Sequence, residues 1–175
     1  MNLPNKLSIV RVSCIPFIIL LLYQNAEWCR WAAVILFAFA AFTDFLDGHI
    51  ARKNNLVTDF GKFIDPIADK LLVLSTMIML TGLARLPAWL VILILARELS
   101  VDGLRLIAVT KGKVIAAGPL GKIKTVSQIV LILWLLISDT AAFSTVPGII
   151  LCIWTAVITL WSAVDYFFRN STVFG

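Results

Sequence analysis

Charge is what this chain has least of. Only 14% of its 175 residues are Asp, Glu, Lys or Arg, against 61% hydrophobic, and its mean hydropathy is +0.98. Soluble domains run nearer a quarter charged and half apolar. A water-soluble globular domain is therefore excluded, and an integral membrane protein is expected. Histidine is nearly absent: His49 stands alone and reads as a surface group rather than a ligand. Cysteine is scarce as well. Cys14, Cys29 and Cys152 are scattered singly, so they form no ligand-spaced pair and are expected to pack. There is no internal repeat and no low-complexity linker. The start, MNLPNKLSIVRVSC, has neither the short apolar core nor the small-residue cleavage site of a secretory signal, so no removable leader is expected.

What the chain does have is a series of long apolar stretches. They predict helices over about 7–23, 30–52, 60–81, 88–109, 123–138 and 147–168. At about 20 residues per crossing, six spans use roughly 120 residues. The remainder suffices for short loops and ends. The expected fold is all-α: one domain over residues 1–175, a six-transmembrane-helix bundle. Pro4, Pro87 and Pro147 fall near expected helix starts, where proline is tolerated. The Gly- and Pro-containing segment from Lys111 to Gly121 is the longest connection.

The basic residues orient the bundle. With the N-terminus in the cytoplasm, that side holds Lys6, Arg11, Arg52, Lys53, Lys62, Lys70, Arg97, Arg105, Lys111, Lys113, Lys122, Lys124 and Arg169. The other side holds only Arg30 and Arg85. Thirteen against two is a strong positive-inside bias. It predicts a plasma (inner) membrane protein with its N-terminus and any polar cavity facing the cytoplasm. Much of the net charge of +5 serves topology and attraction to anionic headgroups. It is no sign of nucleic acid, for which the chain offers no soluble module. Trp28, Trp31, Trp89 and Trp161 suit interfacial anchoring.

Within this apolar background stand four aspartates, in the frame D-x-x-D-G-x-x-A-R-x8-G-x-x-x-D-x-x-x-D from Asp44 to Asp69. Acidic side chains at membrane depth cost roughly 2.5–3.5 kcal/mol each. Asp44 and Asp47 are spaced i,i+3 near the end of the second helix. Asp65 and Asp69 are spaced i,i+4 near the start of the third. Each pair shares one helix face. Four carboxylates converging on a small volume cannot all stay ionised without cations. Hard oxygen ligands suit Mg²⁺ or Mn²⁺, and a shared carboxylate would permit the two-ion arrangement of phosphoryl transfer. Gly48, Gly61 and Ala51 leave room for a bulky substrate, and Arg52 offers a planar fork for phosphate oxygens.

This frame resembles the signature of the CDP-alcohol phosphotransferases, a family of six-helix membrane enzymes, with every motif position present. In that family an alcohol attacks the β-phosphate of a CDP-linked substrate and CMP leaves. The resemblance implies that Asp44, Asp47, Asp65 and Asp69 surround two metal ions and that Asp69 takes the proton from the attacking hydroxyl. It further implies that Asn5, Gly48, Ala51, Arg52 and Gly61 line the CDP site, and that the protein is a homodimer with a complete site in each protomer.

Four further segments narrow the acceptor: NLPNKLSIVR at Asn2–Arg11, AREL at Ala96–Leu99, GLR at Gly103–Arg105 and GKIKT at Gly121–Thr125. They resemble the branch of the family that joins CDP-diacylglycerol to sn-glycerol 3-phosphate. The charges agree. Arg97 and Arg105 are eight residues apart, about two turns along one side of a helix. Lys122 and Lys124 open the fifth helix. Such a cluster would neutralise a phosphate dianion, which serine or a neutral alcohol would not require. Arg97, after the run VILILA, is expected to be the deepest. Glu98 is expected to pair with a neighbouring base, and Asp102 with Arg105; Asp165 has no expected role. The rival readings are another acceptor (serine, inositol phosphate or phosphatidylglycerol) and a divalent-cation transporter. The clustering of all four aspartates at one membrane face disfavours the transporter.

Overall fold

The computed structural model describes the backbone of residues 3–24, 26–54, 59–112, 115 and 118–171. Within those ranges it describes side chains from residue 7 onward, except 44–54 and 59–66. The described chain is helical throughout, with α1 at Leu3–Tyr23, α2 at Glu27–Asn54, α3 at Asp59–Gly82, α4 at Ala88–Thr110, α5 at Pro119–Ser138 and α6 at Val146–Arg169. These match the expected stretches, with longer polar first turns on α1 and α5.

Helix starts follow local chemistry. Pro87 holds the N-cap of α4 in an extended conformation, and Pro119 and Pro147 occupy first-turn positions of α5 and α6. There the missing N–H has no intrahelical partner to lose. Thr145 caps α6, its hydroxyl accepting from the Gly148 N–H at 3.3 Å.

Two groups of helices pack together. The first is α1, which lies against both α2 and α3. The second is α6, which lies against both α4 and α5, while α5 also meets α2 and α3. Their shared core includes Ile18, Phe37, Leu72, Met77, Leu90, Ile94, Leu131 and Leu135, all fully buried. Cys14, Cys29 and Cys152 are buried free thiols. Among the described residues, α4 and α5 make no direct helix-on-helix contact. The space between them is bridged by side chains instead.

One end of the bundle is tied by ions. Asp139, the left-handed residue closing α5 (φ 53°), accepts from Arg30 at 2.9 Å and also pairs with Arg85. Arg30 opens α2 and Arg85 follows α3, so three helix termini meet on one carboxylate. These are the two arginines assigned by charge bias to the outer side. Large apolar side chains point outward around the bundle, among them Phe17, Ile35, Phe39, Ile92, Leu106 and Leu160. Trp28, Trp31, Trp89 and Trp161 are exposed as well. Among the described residues, α5 and α6 are long and apolar enough to cross a membrane on composition alone. Helix α4 carries Arg97, Glu98, Asp102 and Arg105 within its length.

The α5–α6 turn is tightly closed over Gly148. A Cβ at that position would lie 2.4 Å from the Ala142 carbonyl oxygen and 2.9 Å from the Thr145 hydroxyl. Backbone there must shift to admit a methyl group. Gly148→Ala should lower stability by about 1–3 kcal/mol, read as a reduced thermal midpoint in detergent micelles. Molecules that remain folded should keep their activity, because the turn is remote from the charged cavity.

Candidate active site

A cavity of about 630 Å³ opens where α4 and α5 stand apart. Helix α3 contributes Asp69 and Lys70, α4 contributes Arg97, Glu98, Asp102 and Arg105, α5 contributes Lys122, Lys124 and Gln128, and α6 contributes Ser162, Asp165 and Tyr166. Ala41, Val73, Leu74 and Ile94 supply apolar wall. Periodicity explains the convergence. Residues 97, 98, 101, 102 and 105 form one stripe of α4, and Ser162 and Tyr166 are spaced i,i+4 on α6.

Glu98 is the anionic centre of the group. Its side chain is 8% exposed, beside Arg97 at 9% and Lys124 at 6%. Lys124 Nζ donates to Glu98 Oε1, the Arg97 guanidinium lies 3.4 Å from the same oxygen, and Lys70 lies 3.9 Å from Oε2. Charges buried this far are tolerated only when paired. The contact between Glu98 and Lys124 also spans the gap between α4 and α5.

The two arginines of α4 are seated by α6. Arg97 Nη2 donates to Ser162 Oγ at 2.6 Å. Arg105 Nε donates to the Tyr166 hydroxyl at 2.9 Å, and its guanidinium stands 5.5 Å from the centre of that ring. Gly121 of α5 packs beside Arg97, whose Nη2 lies 3.9 Å from where a Cβ would be, an ordinary van der Waals distance. Lys122 is exposed at the cavity rim.

The lining carries five cations, Lys70, Arg97, Arg105, Lys122 and Lys124, and four carboxylates, Asp69, Glu98, Asp102 and Asp165. Glu98 pairs with Lys124, Asp102 with Lys70, and Asp165 with Arg169 at 2.7 Å. Arg105 and Lys122 have no carboxylate partner among the described residues. The arrangement can accept an anion of about phosphate size beside a carboxylate on α3.

The structure therefore brings Asp69, Arg97, Arg105, Lys122 and Lys124 to one cavity. The side chains of Asp44, Asp47 and Asp65, and of Asn5, Gly48, Ala51, Arg52 and Gly61, lie outside the described residues. Their backbone belongs to α1, α2 and α3. Among the described residues no three His, Cys, Asp or Glu groups form a metal cluster.

One expectation is corrected. Asp102 pairs with Lys70 of α3, not with Arg105, because Arg105 is turned toward Tyr166. Arg11, one of the thirteen basic residues counted toward the cytoplasmic side, is fully buried. The sequence reading also missed Ser162, Tyr166 and Gln128. Their only signal was a polar group recurring at helical spacing within apolar helices.

The chain is similar to known proteins over nearly its whole length. It is 42% identical to the CDP-diacylglycerol–glycerol-3-phosphate 3-phosphatidyltransferase of Bacillus subtilis, across 97% of this chain and 95% of that protein. It is 39% identical to the protein of the same name from Shigella flexneri and 38% to that from Escherichia coli, each across 94% of this chain and 92% of the relative. The model of the CDP-alcohol phosphatidyltransferase family matches residues 1–162, which include the whole aspartate frame and the cavity stripe of α4, and the chain belongs to that family.

Proposed function

We propose that this chain transfers the phosphatidyl group of CDP-diacylglycerol to sn-glycerol 3-phosphate, releasing CMP and forming phosphatidylglycerophosphate. The observation that carries the reading is the cavity between α4 and α5, where Asp69 shares one space with Arg97, Arg105, Lys122 and Lys124. The relatives named above support the same donor and acceptor.

Asp69 accepts the proton of the attacking hydroxyl. The hydroxyl oxygen forms a bond to the β-phosphorus, and the bond from that phosphorus to the CMP oxygen breaks, its electron pair leaving with CMP. Arg97, Arg105, Lys122 and Lys124 hold the acceptor's phosphate, and Asn5, Gly48, Ala51, Arg52 and Gly61 line the CDP side. The donor set of Asp44, Asp47, Asp65 and Asp69 fits two Mg²⁺ or Mn²⁺ ions. It offers only hard oxygen ligands, from two helices that pack together. Bound there, the ions would neutralise phosphate charge. The six helices span the plasma (inner) membrane with the cavity facing the cytoplasm, as the thirteen-to-two charge bias favours. The protein acts as a homodimer among membrane lipids.

Three outcomes test this. CMP release should vanish in excess chelator and return with Mg²⁺ or Mn²⁺; full activity in chelator would remove the metal from the proposal. Asp69→Asn keeps the shape and loses basicity, so turnover should fall by about 10²–10⁴-fold while CDP-diacylglycerol still binds. Near-normal turnover would show that another group takes the proton. Arg97→Ala should raise KM for glycerol 3-phosphate by roughly 10–100-fold, as expected for loss of a charge-assisted hydrogen bond, with little change for CDP-diacylglycerol. Arg97→Lys should rescue it in part. Unchanged glycerol 3-phosphate kinetics in Arg97→Ala, or a wild-type preference for a neutral alcohol, would leave the reaction class standing and remove the named acceptor.

A further inference from the structure

Gln128 is a buried amide at the cavity wall that the reaction as described does not use. It is 3% exposed, it lines the cavity, and its Nε2 has no hydrogen-bond partner among the described residues. An unsatisfied buried donor is costly, and natural structures rarely retain one without a reason. Arg97 Nε at the same cavity is also without a partner, on a guanidinium whose other donors are engaged; among neutral side chains, Trp134 Nε1, Thr155 Oγ1 and Thr159 Oγ1 are similarly unpaired. None of these three neutral groups lines the cavity.

Register sets the position of Gln128. It follows Lys124 by four residues on α5, so the two side chains share a face one turn apart, about 6 Å along the axis. Lys124 belongs to the cationic group, with Arg97 and Lys70 around Glu98. Gln128 stands one turn further from the helix start at Pro119, where Val73, Leu74 and Ile94 contribute apolar wall. The lining thus offers guanidinium and ammonium groups for a phosphate, and beside them a neutral donor that suits a hydroxyl.

We propose that Gln128 reads the bystander hydroxyl of the acceptor. The inference rests on the acceptor reading above. Glycerol 3-phosphate carries two hydroxyl groups: the primary one attacks, and the one on the middle carbon does not react. The Gln128 amide N–H donates to the oxygen of that middle hydroxyl, which gives Nε2 a partner and fixes which way the three-carbon chain lies between the phosphate cradle and Asp69. Gln128 is accordingly a specificity-determining residue. A site built to bond a substrate hydroxyl discriminates strongly against the analogue that lacks it.

The test compares two acceptors on the full-length enzyme in mixed micelles. One is glycerol 3-phosphate. The other is 3-hydroxypropyl phosphate, which keeps the attacking hydroxyl and the phosphate but lacks the middle hydroxyl. The wild type should prefer glycerol 3-phosphate by about tenfold or more in kcat/KM. Gln128→Met, close in volume and without an amide, should bring glycerol 3-phosphate down to the level of the analogue and leave the analogue unchanged. Gln128→Asn should recover part of the preference. Three results would overturn the proposal: no wild-type discrimination, equal losses for both acceptors in Gln128→Met, or a preference that survives that substitution. Should Gln128→Met fail to fold, the wild-type ratio and Gln128→Asn decide, with an undiminished preference in Gln128→Asn counting against the assignment. Failure of the acceptor reading looks different, because the wild type would then turn over neither phosphate-bearing acceptor while still releasing CMP to another alcohol.

Discussion

Glu98 holds a negative charge among Arg97, Lys124 and Lys70, and the region between α4, α5 and α3 depends on that charge being matched. Removing one member of a buried ion pair typically costs about 3–5 kcal/mol, because the partner is left uncompensated. Here one carboxylate meets two cations whose side chains are almost fully buried, and a third at longer range. The same contact bridges two helices whose described backbones stand apart. Structure and site are thus coupled. The carboxylate that makes it possible to bury the cations also keeps them beside the space in which an anion can bind. Glu98 positions the cations proposed to hold the acceptor.

Helix α6 contributes in a different way. It carries no cation to the cavity, yet Ser162 and Tyr166 take one N–H each from Arg97 and Arg105. A guanidinium has five donors in a fixed plane. Tying one to a neutral oxygen restricts the side chain without neutralising it, leaving other donors for a phosphate. A carboxylate in either position would have held the arginine as firmly and cancelled its charge.

Much of this was legible in the sequence, for identifiable reasons. The six helices were visible because long apolar stretches are separated by short polar breaks. Arg97, Arg105, Lys122 and Lys124 were visible because charge is rare in such a background. Partner choice was not. Asp102 and Arg105 are three residues apart and invite pairing along the helix, but Lys70, 32 residues away in sequence, captures Asp102. The burial of Arg11 was not visible either, since a positive-inside count does not distinguish a surface arginine from one turned into the bundle. Ser162, Tyr166 and Gln128 went unnoticed because a single neutral polar residue in an apolar helix usually means nothing. Only the tertiary arrangement shows that these three reach one cavity.

The charged stripe of α4 has a consequence for how the protein enters its membrane. Helices α5 and α6 are apolar enough to partition into lipid by themselves. Helix α4 carries two arginines, a glutamate and an aspartate, and intramembrane charges cost roughly 2.5–3.5 kcal/mol each when unaccompanied. On the six-span reading, α4 is stable in the bilayer only beside Lys70, Lys124, Ser162 and Tyr166, which come from α3, α5 and α6. Two of those helices are synthesised after it. On that same reading, integration of α4 waits for the α5–α6 hairpin to emerge, and a nascent chain that stops before α6 would lack both its cavity and the means of keeping α4 in the lipid.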